Sequence, residues 1–267
     1  MTDLSGKTAL VTGSVQGIGL AIAEALARAG ARIAVHGLAD VKQAETVCAG
    51  LRDKGAPESR FFAGDLRDPE QIGAMMQEVA HWGGADILVN NAGIQHTAWL
   101  SDMPGTTWEA ILAVNLSAAF YTMQAAMPAM AERGYGRVIN IASVHGLVAS
   151  KQKAPYVAAK HGLIGLSKVA ALEYASRGVR TKGAVTVNCI CPGWTDTAIL
   201  EPQIEARMEA LNADRDTAMA DMMKEKQPSL RASDPSEIGA LAVWLCSPVA
   251  HNLTGAAIPV DGGWTAQ

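Results

Sequence analysis

Along the chain, short runs of β-branched and other apolar residues alternate with longer stretches in which apolar residues recur every three or four positions. The first run, TALVTG, precedes a helical pattern from about Gly17 to Ala29, and ARIAVHG precedes another from about Val41 to Lys54. SRFFAGD and ADILVNNAG follow as strands, then a helical pattern from about Thr107 to Arg133 and the strand GRVINIAS. A helical pattern from about Tyr156 to Ser176 leads into the strand VTVNCICPGW. A more polar helical stretch covers about Ala198 to Lys226, and EIGALAVWLCS with the short strand GAAIPVDGG closes the series. The alternation predicts an α/β fold: a doubly wound parallel sheet with helices on both faces. No linker, repeat or low-complexity block divides residues 1–267, so a single domain is expected.

Composition narrows the picture. With 49% hydrophobic residues over 267 positions the chain can bury one substantial core. A formal charge of −4 removes the usual electrostatic reason for binding nucleic acid or an anionic membrane. No apolar stretch is expected to reach the roughly 18 residues a bilayer span needs. The opening MTDLSGKTALVTG lacks the layout of a secretion signal, so a cytoplasmic protein is expected. Cys48, Cys189, Cys191 and Cys246 form no CxxC pair, and Cys189 and Cys191 alternate as strand neighbours do; buried, reduced thiols are expected. No His/Cys/Asp cluster has metal-ligand spacing, and no catalytic metal is predicted.

In an open parallel sheet, ligands bind beyond the carboxyl ends of the strands, so the residues just after each strand are the ones to inspect. The first strand ends in TGSVQGIG, Thr12 to Gly19, and runs straight into a helix. There Gly13 permits a tight turn, and Gly17 and Gly19 let backbone and helix approach closely, which suits a pyrophosphate at a helix N-terminus. The second strand ends Val35-His36-Gly37-Leu38, with neither the acid that would hold a ribose nor the cation that would hold a 2′-phosphate. Absence of the cation argues for NAD over NADP by elimination. Asp65 and Leu66 end the third strand, where they would flank adenine, and Asn90-Asn91-Ala92-Gly93 ends the fourth.

Ser143 stands at the end of the fifth strand, Tyr156 thirteen residues later and Lys160 four beyond that. On a helix, i,i+4 spacing puts Tyr156 and Lys160 on one face, where an ammonium stabilises a phenolate. Bringing a tyrosine from its usual pKa of about 10 to near 7 takes roughly 4 kcal/mol, which Lys160 and an oxidised nicotinamide would supply together. A serine that orients an alcohol or carbonyl oxygen beside a tyrosine that exchanges its proton suits hydride transfer between alcohol and ketone.

The ordered set TGxxxGIG, NNAG, Ser143, YxxxK and PGW at successive strand ends resembles the short-chain dehydrogenase/reductase family over essentially the whole chain. That resemblance implies a Rossmann-type fold, catalytic Ser143, Tyr156 and Lys160, and Asn115 holding a water that links Lys160 to solvent. It implies that Gly13, Gln16, Gly17, Ile18, Gly19, Asp65, Leu66, Asn91, Ala92, Gly93, Pro192, Gly193 and Thr195, with Tyr156 and Lys160, line the cofactor. It also implies a homotetramer.

Near the reacting centre stand Gln95, His145, Lys153 and Gln203, one cation among neutral hydrogen-bonding groups, which suits a small carboxylate better than a sugar or lipid. Trp194 and Trp264 would close the apolar side. These residues, with NNAGIQH, SVHGLVAS, KAPYVAAKHGLIGLSK, EKQPSL and DGGWTAQ, are similar to the family's bacterial D-3-hydroxybutyrate dehydrogenase branch. The similarity implies that Gln95, His145, Lys153 and Gln203, beside Ser143 and Tyr156, hold the carboxylate of a 3-hydroxy acid. It implies that Trp194 and Trp264 shape the pocket and that helices near 198–226 form a lid. The implied reaction is NAD-dependent oxidation of (R)-3-hydroxybutyrate to acetoacetate.

Two departures stand out. TDTAIL after PGW puts Asp196 where it would repel a carboxylate unless it points away, and Thr181–Thr186 reads as an insertion expected at the sheet edge opposite the crevice. Two other readings stay open: a family member acting on a sugar, cyclic alcohol or 3-oxoacyl thioester, and a non-catalytic module that senses NAD.

Overall fold

A computed structural model describes residues 2–178, 183–198 and 200–266. Seven strands form one parallel sheet: β1 (Thr8–Val11), β2 (Arg32–Val35), β3 (Ser59–Phe61), β4 (Ile87–Asn90), β5 (Tyr135–Ile141), β6 (Ala184–Pro192) and β7 (Ala257–Val260). Their order is β3-β2-β1-β4-β5-β6-β7, so the winding reverses between β1 and β4. The central strands are buried throughout, which is why TALV, ILVN and VTVNCIC are apolar almost without interruption.

Helices α1 (Gly17–Arg28), α2 (Val41–Asp53) and α9 (Pro235–Leu245) cover one face, where Ile22, Leu26, Leu51, Ile238 and Leu245 pack on Ile33, Val35 and Ile139. The other face carries α3 (Pro69–His81), α5 (Ala118–Arg133) and α6 (Ala154–Tyr174), with Met75, Val79, Met123, Met127 and Ala171 on Leu10, Leu88 and Val138. The doubly wound architecture is the expected one, and all four cysteines are free and buried.

Three features differ from the sequence reading. Helix α3 stands between β3 and β4, where no helix is predicted; Asp68 caps it by accepting from the Glu70 amide, Pro69 opens it, and Ile72, Met75, Met76 and Val79 share its buried face. The helix predicted from Thr107 starts earlier, as α4 (Gly105–Leu112), passes through a π-helical turn at Ala113–Ser117 and continues as α5. This Gly105–Arg133 rod of 29 residues is long and apolar enough to cross a membrane, which corrects the expectation that no stretch is. Its apolar residues serve the core instead, Met123, Ala126, Met127 and Met130 being buried against the sheet.

The polar stretch after PGW divides into α7 (Glu201–Leu211) and α8 (Arg215–Lys224), separated by Asn212 in the left-handed region (φ 47°) and Asp214 as cap of α8. Leu200, Ile204 and Ala218 make a small core of their own there, with Trp194 packed against it. Thr181 and Lys182 of the expected insertion lie outside the described residues. Gly183 (φ 106°) and Ala184 (φ 57°) turn the chain into β6, and Val185 and Thr186 already pair with Gly136 and Arg137. That junction is at the amino ends of β5 and β6, opposite the crevice as expected.

Candidate functional site

A cavity of about 530 Å³ opens at the carboxyl ends of the strands, beside the β1/β4 reversal, a volume in the range of cofactor sites. Its nucleotide half is made largely by main chain. Gly13 takes φ 64°, and a Cβ there would come to 2.9 Å from the Ala92 Cα; Gly17 takes φ 57°. Among the described residues no side chain caps the first turn of α1, which leaves its leading amides without a capping partner there. Asn91 Nδ2 donates to the carbonyls of Thr12 (2.9 Å) and Gly13 (3.1 Å), while the Thr12 hydroxyl accepts from the amides of Asn91 and Ala92. Of the residues expected at the cofactor, Gln16, Ile18, Leu66, Gly93, Pro192, Gly193 and Thr195 line this cavity with Gly13, Gly17, Asp65, Asn91 and Ala92. Gly19 does not: it lies beneath the loop, where a Cβ would collide with the Gly13 carbonyl and the Asn91 amide. Free amides and closely spaced glycines fit the pyrophosphate of a nicotinamide dinucleotide.

At the far end of this half the structure adds residues that the sequence reading did not place there. His36 is buried as a bridge: its Nδ1 accepts from the Gly13 amide (3.3 Å) and its Nε2 donates to the Gly64 carbonyl (2.9 Å). Burial pushes its pKa below the ordinary value, keeping it neutral. Arg67 lines the cavity from the segment after β3, so the end of β2 is not the place to look for a cation. It is paired with Asp65 at 2.5 Å, and that contact brings the Asp65 carboxyl down to about 2.

The chemical half gathers the predicted trio. Ser143 follows β5 and caps a short turn by accepting from the His145 amide at 3.1 Å. Tyr156 and Lys160 lie one turn apart on α6, which starts at Ala154, and Lys160 Nζ stands 5.6 Å from the centre of the Tyr156 ring. Lys160 also donates to the Ile141 carbonyl at 2.8 Å. Burial raises the pKa of the Tyr156 hydroxyl, with a hydrogen bond from Ser143 offsetting part of it, and brings Lys160 down to about 8. Burial thus opposes the ionisation of Tyr156 that Lys160 and an oxidised nicotinamide are together expected to favour. Asn115 sits in the π-helical turn outside the main cavity; its side chain accepts from the Ile94 amide and donates to the Ile94 carbonyl. With Lys160 it borders a second cavity of about 10 Å³, room for a single water.

The substrate-side residues converge as well. Gln95, His145, Lys153, Trp194, Gln203 and Trp264 all line the same cavity as Ser143 and Tyr156. Lys153 is only 8% exposed, and among the described residues no ion pair includes it. Burial, with Lys226 nearby, brings it down to about 8. The rings of Trp194 and Trp264 are 5.7 Å apart, and His145 meets Trp264 edge-on at 5.5 Å. Asp196 does not face the cavity; Arg215 of α8 holds it at 2.8 Å and holds Glu201 at 2.6 Å, tying α7 and α8 to the loop after β6. Repulsion of a carboxylate by Asp196 is thereby removed.

Comparison with known proteins gives a consistent outcome. A family model described as enoyl-(acyl carrier protein) reductase matches residues 13–265. A D-beta-hydroxybutyrate dehydrogenase of Cupriavidus necator is 48% identical over 99% of this chain and 100% of its own, and one of Rhizobium meliloti is 43% identical over 98% and 99%. The crystal structure of L-sorbose reductase from Gluconobacter frateurii, complexed with NADPH and L-sorbose, superposes with a TM-score of 0.91 at 31% identity, covering 100% of this chain and 99% of that one.

Proposed function

The chain belongs to the short-chain dehydrogenase/reductase family, and from that premise we propose that it oxidises (R)-3-hydroxybutyrate to acetoacetate, reversibly, with NAD. Family membership carries the coarser statement, an oxidoreductase whose fold binds a nicotinamide cofactor. Lys153 carries the finer one: a buried ammonium on the cavity wall, with no acidic partner among the described residues, calls for an anionic ligand. Two relatives named for D-beta-hydroxybutyrate support the same substrate.

When bound, the nicotinamide supplies the acceptor for the hydride leaving C3 of the substrate. The turn from Gly13 to Ile18, Asp65, Leu66, the Asn91–Gly93 segment and the Pro192–Thr195 segment would hold the dinucleotide. Lys153, Gln95 and Gln203 hold the substrate carboxylate with His145 alongside, and Trp194 and Trp264 limit chain length. Ser143 donates to the C3 oxygen, and Tyr156, as the phenolate that Lys160 and the charge of a bound oxidised nicotinamide would stabilise together, takes the proton of that hydroxyl as the carbonyl forms. The proton leaves past Lys160 by way of the small cavity beside Asn115. In the reverse direction Tyr156 returns the proton to the ketone oxygen. The assembly we propose is a homotetramer, for which exposed Phe120, Val169 and Leu172 on α5 and α6 offer apolar contacts.

NADH formation with each enantiomer of 3-hydroxybutyrate, with NADP as the control cofactor, tests this reading. Turnover of the (R)-acid with NAD is expected. Preference for the (S)-acid, or equal turnover of the methyl ester, overturns the substrate assignment. Preference for NADP overturns the cofactor assignment and gives Arg67, which lines the adenosine end of the cavity, a 2′-phosphate to hold.

A further inference from the structure

Behind His145, on the side away from Ser143, stand two residues outside the cavity wall. Lys226 Nζ donates to Ser150 Oγ at 2.8 Å, across 76 residues of chain. Ser150 Oγ lies 2.9 Å from His145 Nε2, and His145 Nδ1 lies 3.4 Å from Ser143 Oγ. Lys226 comes just after the lid helix α8, with its ammonium 5.4 Å from the centre of the Trp264 ring. The line therefore runs from the base of the lid to the serine at the reacting centre.

Donor and acceptor capacity sets its direction. An ammonium only donates, so Ser150 Oγ accepts from Lys226 and has its own hydrogen left to give. The nearby acceptor is His145 Nε2. A neutral imidazole that accepts at Nε2 carries its proton at Nδ1, which then faces Ser143 as a donor. Ser143 Oγ accepts there and from the His145 amide, so its own hydrogen is left to give, here to the Tyr156 hydroxyl and, with substrate bound, to the reacting oxygen. The opposite tautomer would make Ser150 Oγ accept twice and turn an Nδ1 lone pair on Ser143, drawing the serine's hydrogen away from the substrate. Burial, then Lys153 and Lys226, bring His145 down to about 3, so it stays neutral and the choice is between tautomers.

The geometry points to Lys226 and Ser150 as positioning residues that fix His145 in its Nδ1–H form, so that donors run in one direction, Lys226 to Ser150 to His145 to Ser143 to the C3 oxygen. Its catalytic consequence rests on the dehydrogenase reading above; the tautomer does not. Because Lys226 follows α8, placement of the lid and alignment of Ser143 are parts of one arrangement.

Side-chain ¹⁵N NMR of the cofactor-free protein, with the His145 signals assigned by a His145→Gln variant, reads the tautomer without any substrate. Protonated Nδ1 is expected in the unaltered chain, moving toward protonated Nε2 in Lys226→Met and Ser150→Ala. In turnover, each variant should lower kcat about tenfold with KM within about twofold, the double variant no further, and Lys226→Arg, again donor-only, should restore most of it. Protonated Nε2 in the unaltered chain overturns the inference. So does a Lys226→Met whose KM for the acid rises at unchanged kcat and adds to Ser150→Ala, since Lys226 would then contact the anion itself. Should Lys226→Met fail to fold, Ser150→Ala and Lys226→Arg carry the same comparison. Absence of turnover with 3-hydroxybutyrate alongside protonated Nδ1 would count against the proposed substrate and leave the relay standing.

Discussion

In the nucleotide half of the cleft, the contacts that define shape are made by main chain and lie close to β1 and β4: the Gly13 turn, the Thr12–Asn91 bonds and the uncapped start of α1. In the substrate half they are made by side chains brought from five separate stretches, with Ser143, Lys153, Trp194, Gln203 and Trp264 lining the cavity and Lys226 behind His145. A main-chain cradle tolerates little change of backbone and recognises what every dinucleotide shares. A side-chain cradle is set by charge and hydrogen-bond direction, and it is where one member of a family can differ from the next.

The largest effect expected from breaking this contrast is on the chemical side. Tyr156→Phe removes one oxygen from the cavity and no main-chain contact, so kcat should fall by roughly three orders of magnitude, the upper part of what a positioned acid–base group supplies. NAD affinity, read by fluorescence titration, should stay within about twofold. Near-normal turnover would remove Tyr156 from the chemistry, and a large loss of NAD affinity would show that the two halves are not separable.

The complementary break is Gly19→Ala. A methyl there runs into the Gly13 carbonyl and the Asn91 side chain, so the turn must shift. Overpacking of this kind costs about 1–3 kcal/mol, to be read as a lowered urea midpoint, and the KM for NAD should rise about tenfold or more while the KM for the acid at saturating cofactor holds. A variant that binds NAD normally would mean that the turn has slack the packing does not show.

The same contrast explains what was legible in the sequence. TALVTG, NNAG and the glycine turn declare themselves locally, because each strand end and its loop are contiguous, and the parallel sheet follows from their rhythm. YxxxK is legible for the same reason, as one helix turn. Helix α3 carries its own signals, Asp68-Pro69-Glu70 and four buried residues at helical spacing, in a stretch too short and mixed to stand out between SRFFAGD and ADILVNNAG. His36, Arg67, Arg215 and Lys226 are another matter. Their partners stand 23 or 28 residues away for His36, on another loop for Arg215 and 76 residues away for Lys226, and composition has no term for such distances. Arg67 reaches the cavity from the segment after β3, whereas the position that tells a ribose from its 2′-phosphate is expected after β2.

The smallest expected effect sharpens the substrate half alone. Lys153 loses its proton near pH 8, since burial and the neighbouring Lys226 lower its pKa from the ordinary lysine value. The sign follows from that direction: the ammonium is present below about 8 and absent above it, so attraction for a carboxylate weakens as pH rises through that point. Tyr156 and Lys160 titrate too, and oxidation of any alcohol here improves as Tyr156 loses its proton, which would mask the change in a single profile. Dividing kcat/KM for (R)-3-hydroxybutyrate by kcat/KM for its methyl ester cancels what the two substrates share and leaves the charge at the carboxylate. That ratio should be flat to about pH 7 and fall about tenfold by pH 9. In Lys153→Met it should be low and flat throughout. A ratio that does not change with pH in the unaltered chain would take Lys153 out of the site, and with it the reason for preferring a small anion to a sugar.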